Sequence, residues 1–278
     1  MRAVTLVLLM ATSGFGADRV LVHGHRGARA VLPENTLPAF EYAIKAGVDV
    51  LELDMAVTKD NVVVVSHDPT INPAICRGPR EHVAIRELTL AELREYDCGA
   101  LKNPSYPKQQ NIPKTRMPTL SEVFGLAPKG GFDFNIETKI SPRSPELAPS
   151  PEEFVKLVLD VVRKHKLEKR IILQSFDFRT LHAMKKLAPE IRLSALYTGE
   201  PRSFTEIARE AGASIVSPEF HLVTKAEVQA ARKAGLQVVP WTANTEADWA
   251  KLVECGVDAI ISDDPAELIA YLAKRPRG

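Results

Sequence analysis

Four short clusters in this chain carry residues that could act together on a charged substrate. They are His25-Arg26-Gly27, Glu52-Leu53-Asp54, His67-Asp68 and Glu137-Thr138-Lys139. Each ends or follows an apolar, β-branched run that reads as a strand. Residues i and i+2 of a strand face the same side, so Glu52 and Asp54 present two carboxylates together and Glu137 sits beside Lys139. Alone, Glu-x-Asp also suits a half-buried strand with salt-bridged acids. Three carboxylates in one pocket would repel one another strongly as ions, and a divalent cation relieves that repulsion. Hard oxygen donors without thiolates point to one Mg²⁺ or Ca²⁺ on Glu52, Asp54 and Glu137. Histidine titrates near neutrality, so His25 and His67 suit a general acid and general base. Arg26 and Lys139 add fixed positive charge matched to phosphate oxygens. The combination points to phosphoryl chemistry, with charge on non-bridging oxygens stabilised by cations. Phe176 and Trp241 fall at strand ends, where they would either wall the pocket or plug the barrel mouth.

The elements around these clusters alternate. From residue 118 onward, apolar runs at 132–137, 170–174, 193–197, 214–217, 237–241 and 258–262 are separated by helical stretches. Thr119, Ser150 and Thr224 are each followed three residues later by Glu, the capping-box pattern. Pro151 occupies a first helical position, and Gly212, Gly235 and Gly256 suit helix C-caps. Such alternation requires parallel strands joined by helical crossovers. With runs at 19–24, 49–54 and 61–66, and a helix over 35–46, nine strand candidates result. The expectation is a (β/α)8 TIM barrel with one surplus strand, whose strand carboxyl ends bring all four clusters to one face. Residues 55–59 leave no room for a helix. They are expected to run back extended, turn at Asp60-Asn61 and rise again. Residues 69–118 break the rhythm and read as a rim insertion after the third strand.

The chain has 278 residues, with 45% hydrophobic, 26% charged and a formal charge of +1. These values suit one globular barrel and give no electrostatic reason to expect a nucleic acid or an anionic membrane as partner. The amino terminus combines Arg2, an apolar run over 3–10 and small residues to Ala17. It reads as a signal peptide over residues 1–16, leaving 17–278 as a single barrel domain. Export to a periplasm or the outside follows if that segment is a leader; otherwise the protein is cytoplasmic. No apolar stretch reaches the length of a membrane span, so no stable anchor is expected. In an oxidising compartment Cys76 and Cys98 could pair, leaving Cys255 free; the alternative is three thiols.

Taken in order, the motifs resemble the glycerophosphodiester phosphodiesterase family. His25-Arg26-Gly27 with Pro33-Glu34-Asn35-Thr36 is similar to its opening block. Glu52-Leu53-Asp54, Thr58-Lys59-Asp60 and His67-Asp68 are similar to the next, and Asn135 to Lys139 to the third. Gln174-Ser175-Phe176-Asp177, Trp241 to Asn244, and Gly256 through Ser262-Asp263 match the carboxyl-terminal blocks. The resemblance runs from about Val20 to Leu268. It implies a barrel related to the phosphatidylinositol phospholipase C fold. It also implies metal-dependent hydrolysis of glycerophosphodiesters to sn-glycerol 3-phosphate and an alcohol. Glu52, Asp54 and Glu137 would hold the metal, His25 and His67 would be the acid–base pair, and Arg26 would contact phosphate. Phe176 and Trp241 would then lie against the glycerol carbons. The same site could serve a phospholipase D-like cleavage of lysophospholipids or sphingolipids, given a wide apolar approach. A non-catalytic binding domain would have lost one of these acids or histidines, and all are present. His23, on the face of His25, would pack below the metal site or tune His25.

Overall fold

The computed structural model describes residues 19–274, so the leader expected over residues 1–16 lies outside the described residues. Strand β1 (Leu21–Gly24) leads to helix α1 (Leu37–Ala46), then to β2 (Val50–Val57) and β3 (Val63–Val65). Short helices α2 (Leu90–Leu93) and α3 (Leu120–Phe124) precede β4 (Asp133–Thr138). Strand and helix then alternate through α4 (Pro151–His165), β5 (Ile171–Ser175), α5 (Phe178–Leu187), β6 (Arg192–Tyr197), α6 (Phe204–Ala211) and β7 (Ile215–Pro218). The chain ends with α7 (Lys225–Lys233), β8 (Gln237–Val238), α8 (Glu246–Cys255), β9 (Ala259–Ser262) and α9 (Pro265–Ala273).

Eight strands pair in parallel in the order β8-β7-β6-β5-β4-β2-β1-β9. The Asp258 N–H donates to Val238 O and the Ile261 N–H to Pro240 O, both at 3.0 Å, which brings β8 against β9 and closes the ring. The expected (β/α)8 barrel is therefore the fold. β8 is short as a regular strand, but its run stays attached to β7 beyond it, the Val239 and Trp241 N–H groups donating to Val216 O and Pro218 O at 2.9 and 3.1 Å.

The surplus strand is β3, and it corrects the expected path of the chain. Residues 55–57 do not run back; they continue β2 beyond the rim. The chain turns at residues 58–61 and β3 returns antiparallel, pairing Val57 with Val63 and Met55 with Val65. The Ser66 N–H then donates to Asp54 O at 3.0 Å, so the return ends level with Asp54. His67 thus reaches the face formed by the strand carboxyl ends at the foot of a hairpin and not at the end of a barrel strand.

Pleating sorts the residues of each strand. Leu51, Leu53, Phe134, Ile136 and Leu173 face outward into the main core, against Phe154 and Val158 of α4 and Leu181 and Met184 of α5. Their neighbours His23, Glu52, Asp54, Asn135, Glu137 and Gln174 are the buried polar set that faces the barrel interior. Complete capping boxes start α2, α3 and α4 at Thr89, Thr119 and Ser150. At Thr224 only half of the expected box forms: the hydroxyl accepts from the Glu227 N–H, while the Glu227 carboxylate takes the Phe204 N–H at 2.9 Å.

Residues 69–118 build a core of their own. Ile71, Ile85, Leu88, Leu93, Tyr96 and Met117 pack on Ala56 and Val64 of the β2–β3 hairpin. A disulfide joins Cys76 to Cys98 within it, and Cys255 is free.

The turn after β1 is the tightest join. Gly27 has φ +84°, and a Cβ there would lie 2.7 Å from the Ala39 carbonyl carbon and 2.9 Å from Phe40 N. Both are helix backbone and cannot yield. Gly27→Ala is therefore expected to lower unfolding free energy by about 2–4 kcal/mol, combining left-handed strain with overpacking. Urea unfolding should show a lower midpoint at an unchanged m-value.

Candidate active site

Asp54 and Glu137 are direct register partners on β2 and β4, and Glu137 in turn faces Gln174 on β5. Glu52 lies two residues before Asp54 on the same inward face. One oxygen from each of Glu52, Asp54 and Glu137 falls within 4.8 Å of the others, and all three residues are buried. Each carboxylate has its own side-chain donor, Gln174, Asn35 or Lys139. Glu52 accepts from the Arg26 backbone N–H and the Gln174 amide, both at 2.8 Å. Asp54 accepts from the Asn35 amide at 2.9 Å, with the Arg26 Nε 3.2 Å away. Glu137 accepts from the Lys139 ammonium at 2.9 Å. Gln174 is oriented in turn by Asn135, whose amide donates to it at 2.9 Å and stands 3.5 Å from His23 Nδ1. His23 belongs to this polar layer beneath the acids, and burial pushes its pKa down to about 3.

Two histidines frame the acids in the same way. His25 Nδ1 meets Asp263 at 2.5 Å, and its Nε2 lies 3.9 Å from Glu52. His67 Nδ1 meets Asp68 at 2.8 Å, and Asn72 donates to the other Asp68 oxygen at 2.7 Å. A carboxylate on Nδ1 fixes the ring and the tautomer, which leaves Nε2 as the nitrogen free to exchange a proton. Asp263 is itself fixed by the Asn244 amide at 2.8 Å and approached by the Tyr106 hydroxyl at 3.3 Å. Both histidines, with Glu52, Glu137, Arg26 and Lys139, line one cavity of about 140 Å³. Phe176 and Trp241 stand at its edge, ring to ring at 5.4 Å and nearly perpendicular. The indole N–H of Trp241 is tied to Ser217 O at 2.8 Å, and Phe176 is 43% exposed.

The electrostatics follow from burying three acids together. Burial, reinforced by the Asp54 charge, raises the Glu52 pKa well above the ordinary carboxylate range. Burial likewise pushes Glu137 up to about 7, against the pull of Lys139. Burial opposes ionisation of Asp54 too, but Arg26, Lys139 and His67 outweigh it and hold that carboxyl well below its usual range. Burial lowers the His25 pKa in spite of Asp263. A trio in which two acids resist ionisation is short of positive charge. Oxygen donors of this kind, a few ångströms apart and buried, fit a hard divalent cation.

All nine side chains singled out from the sequence meet here. The supporting set escaped sequence reasoning. Asn35 and Glu34 lie in the Pro-Glu-Asn-Thr motif, and Glu34 accepts from Arg26 at 2.6 Å. Arg29, which also lines the cavity, lies three residues after Arg26 in the same turn. Asp263 and Asn244 are polar residues just past apolar runs. That signal was visible, but nothing local says which histidine they reach.

Residues 25–267 match the sequence profile of the glycerophosphoryl diester phosphodiesterase family. A glycerophosphodiester phosphodiesterase from Caldanaerobacter subterraneus subsp. tengcongensis is 32% identical, over 92% of this chain and 99% of its own. Among solved structures, a provisionally assigned glycerophosphoryl diester phosphodiesterase from Silicibacter pomeroyi DSS-3 is 32% identical with a TM-score of 0.85. That match covers 92% of this chain and 93% of the other. An Oleispira antarctica phosphodiesterase, in complex with the product sn-glycerol-3-phosphate, is 25% identical with a TM-score of 0.78, over 91% and 97% of the two chains.

Because Glu137 titrates near 7 and Glu52 lies high as well, a cation must displace protons to bind. Affinity for Mn²⁺ or Mg²⁺ should weaken as pH falls from 8 to 6, by roughly tenfold per pH unit for each proton released. Calorimetric titrations at pH 6 and pH 8 would measure it. An affinity independent of pH would contradict a site with protonated acids.

Proposed function

The chain belongs to the glycerophosphoryl diester phosphodiesterase family, and on that premise we propose metal-dependent hydrolysis of glycerophosphodiesters to sn-glycerol 3-phosphate and an alcohol. The observation that carries the mechanism is the convergence of three buried carboxylates and two Asp-tethered histidines on one cavity.

In this reading Glu52, Asp54 and Glu137 hold one divalent cation, Mg²⁺ or Ca²⁺. Bound there, such an ion supplies Lewis-acid stabilisation of charge on the phosphate oxygens. Arg26 and Lys139 bind those oxygens from the protein side, and Arg29 adds a third cation at the cavity wall. One histidine removes a proton from the attacking hydroxyl through Nε2, whether that hydroxyl is water or the glycerol 2-hydroxyl. The other donates a proton to the departing alkoxide, so one P–O bond forms and one breaks; where the 2-hydroxyl attacks, this leaves a cyclic phosphate, and water, deprotonated by the second histidine, then opens it as the first returns a proton to the 2-oxygen. Asp263 and Asp68 keep the two rings oriented through the change of charge. Phe176 and Trp241 give the glycerol carbons an apolar surface and exclude water from one side of the phosphorus. The substrate is a small molecule; among the described residues no helix is long and apolar enough to cross a membrane. The leader-like first residues and the Cys76–Cys98 disulfide support export as part of this proposal.

Release of glycerol 3-phosphate from glycerophosphocholine tests the reaction. Chelation should abolish it, and Mg²⁺, Ca²⁺ or Mn²⁺ should restore it. A folded protein that releases none with any of them would refute the reading. His67→Ala should lower kcat by roughly 10²–10⁴-fold, the usual loss for a general acid or base. Asp263→Asn should lower kcat over a similar range, about 10²–10⁴-fold, with KM little changed, because it removes the tether that sets the His25 tautomer. A KM effect alone would assign Asp263 to binding instead.

A further inference from the structure

A second cavity, of about 190 Å³, opens directly off the carboxylate cavity: Glu137, Lys139 and Phe176 line both. Its other walls come from the segment after β4, at Ile140, Leu147 and Ala148, and from Pro69. Pro69 follows His67 by two residues, so this cavity lies on the His67 side of the acids. Its only other polar lining is Thr138, Ser141 and Ser144. The two charged groups at its inner edge are already engaged with each other, Lys139 with Glu137 at 2.9 Å. Arg143 and Glu146 of the same segment are exposed and do not line it. Beyond Phe176 it widens into an open trough of about 680 Å³ that shares Ile140 and Ser141. The charges there are paired as well, Arg179 with Asp177 and Arg202 with Glu210.

We propose that this pocket receives the leaving alcohol, and that it selects an uncharged, apolar alcohol over choline or ethanolamine. The proposal rests on the phosphodiesterase reading above and names its substrate class. A quaternary ammonium placed here would lose water and meet Lys139, with no free carboxylate and only the single ring of Phe176 in return, where recognition of such a cation takes a cage of several rings. An alkyl group of the same shape loses nothing and covers the exposed ring of Phe176. The location also places the departing oxygen near His67, the residue able to protonate it.

Charge can be separated from shape with two diesters. Glycerophosphocholine is compared with the glycerophosphodiester of 3,3-dimethylbutanol, in which carbon replaces the choline nitrogen. With the full chain and its restoring cation, kcat/KM should favour the neutral ester by about tenfold or more. Leu147→Glu should shrink that ratio at least about fivefold by giving the pocket a free carboxylate. The glycerophosphodiester of methanol, too short to enter the pocket, is the reference within the same variant: relative to it, the dimethylbutyl ester should become poorer and the choline ester better. Should Leu147→Glu fail to fold, Ala148→Phe fills the same space and should depress the dimethylbutyl ester while sparing the methyl ester. Choline preferred or equal in the wild type overturns the proposal but leaves the reaction standing. So does a 1-acyl chain on the glycerol, and not the alkyl alcohol, being what Ala148→Phe rejects; the pocket would then serve the glycerol side. Hydrolysis of neither ester with any cation removes the phosphodiesterase reading and this one together.

Discussion

Three carboxylates buried within 4.8 Å of one another are the constraint that the rest of the site answers. Isolated, such a cluster would neutralise itself by taking up protons. Here the protein compensates only in part. Arg26 and Lys139 keep Asp54 ionised, while Glu52 and Glu137 lean towards the protonated form. The Arg26 backbone N–H and the amides of Gln174 and Asn35 satisfy the remaining oxygens. Full neutralisation by side chains would leave nothing for a cation to do. In a cluster left one positive charge short, proton uptake and cation binding would compete for the same oxygens.

The barrel makes that geometry inexpensive to specify. Parallel register sets Asp54 opposite Glu137, and pleating sends Leu53 and Ile136 into the core in the same stroke. A one-residue slip of β2 would exchange Glu52 and Asp54 for leucines and place two acids in the helix-side core. Hydrophobic burial of the outward residues therefore enforces the placement of the inward acids. The β2–β3 hairpin adds the one piece that the eight-fold pattern does not supply: it returns the chain antiparallel and sets His67 beside the acids.

Fold class, the cluster of nine side chains and several helix starts and ends were legible because each depends on local periodicity or on a motif of a few residues. Alternation showed which strand residues face inward, and Ser or Thr followed by Glu marked helix starts. The direction of β3 was legible in the length of the link and was misjudged. A run of valines says strand without saying parallel or antiparallel, but the five residues 58–62 are too few for the crossover a parallel neighbour needs and so dictate a hairpin. Asp263 and Asn244 were visible as residues but not as partners, since 238 positions separate Asp263 from His25. Only ring closure between β1 and β9 brings them together.

That closure also explains how residues 69–118 bear on the site without supplying its acids. The segment has its own small core and disulfide, yet it is fastened to the barrel on the His25 side. The Gln109 amide donates to Arg29 O and Leu32 O, and the Gln110 N–H to Val31 O. Lys108 pairs with Glu267 of α9. Between these ties, Tyr106 covers Asp263 and stacks beneath the Arg29 guanidinium, 4.8 Å from its ring centre. His25 is thereby enclosed from β1, β9 and the long segment together, and its side chain is 11% exposed. His67, at the foot of a hairpin with the next turn to lean on, is 34% exposed. The two histidines share one chemistry of tethering but not one environment. The enclosed ring can meet only what is already inside the cavity, while the open ring stands towards the second cavity, walled by Pro69 and Leu147.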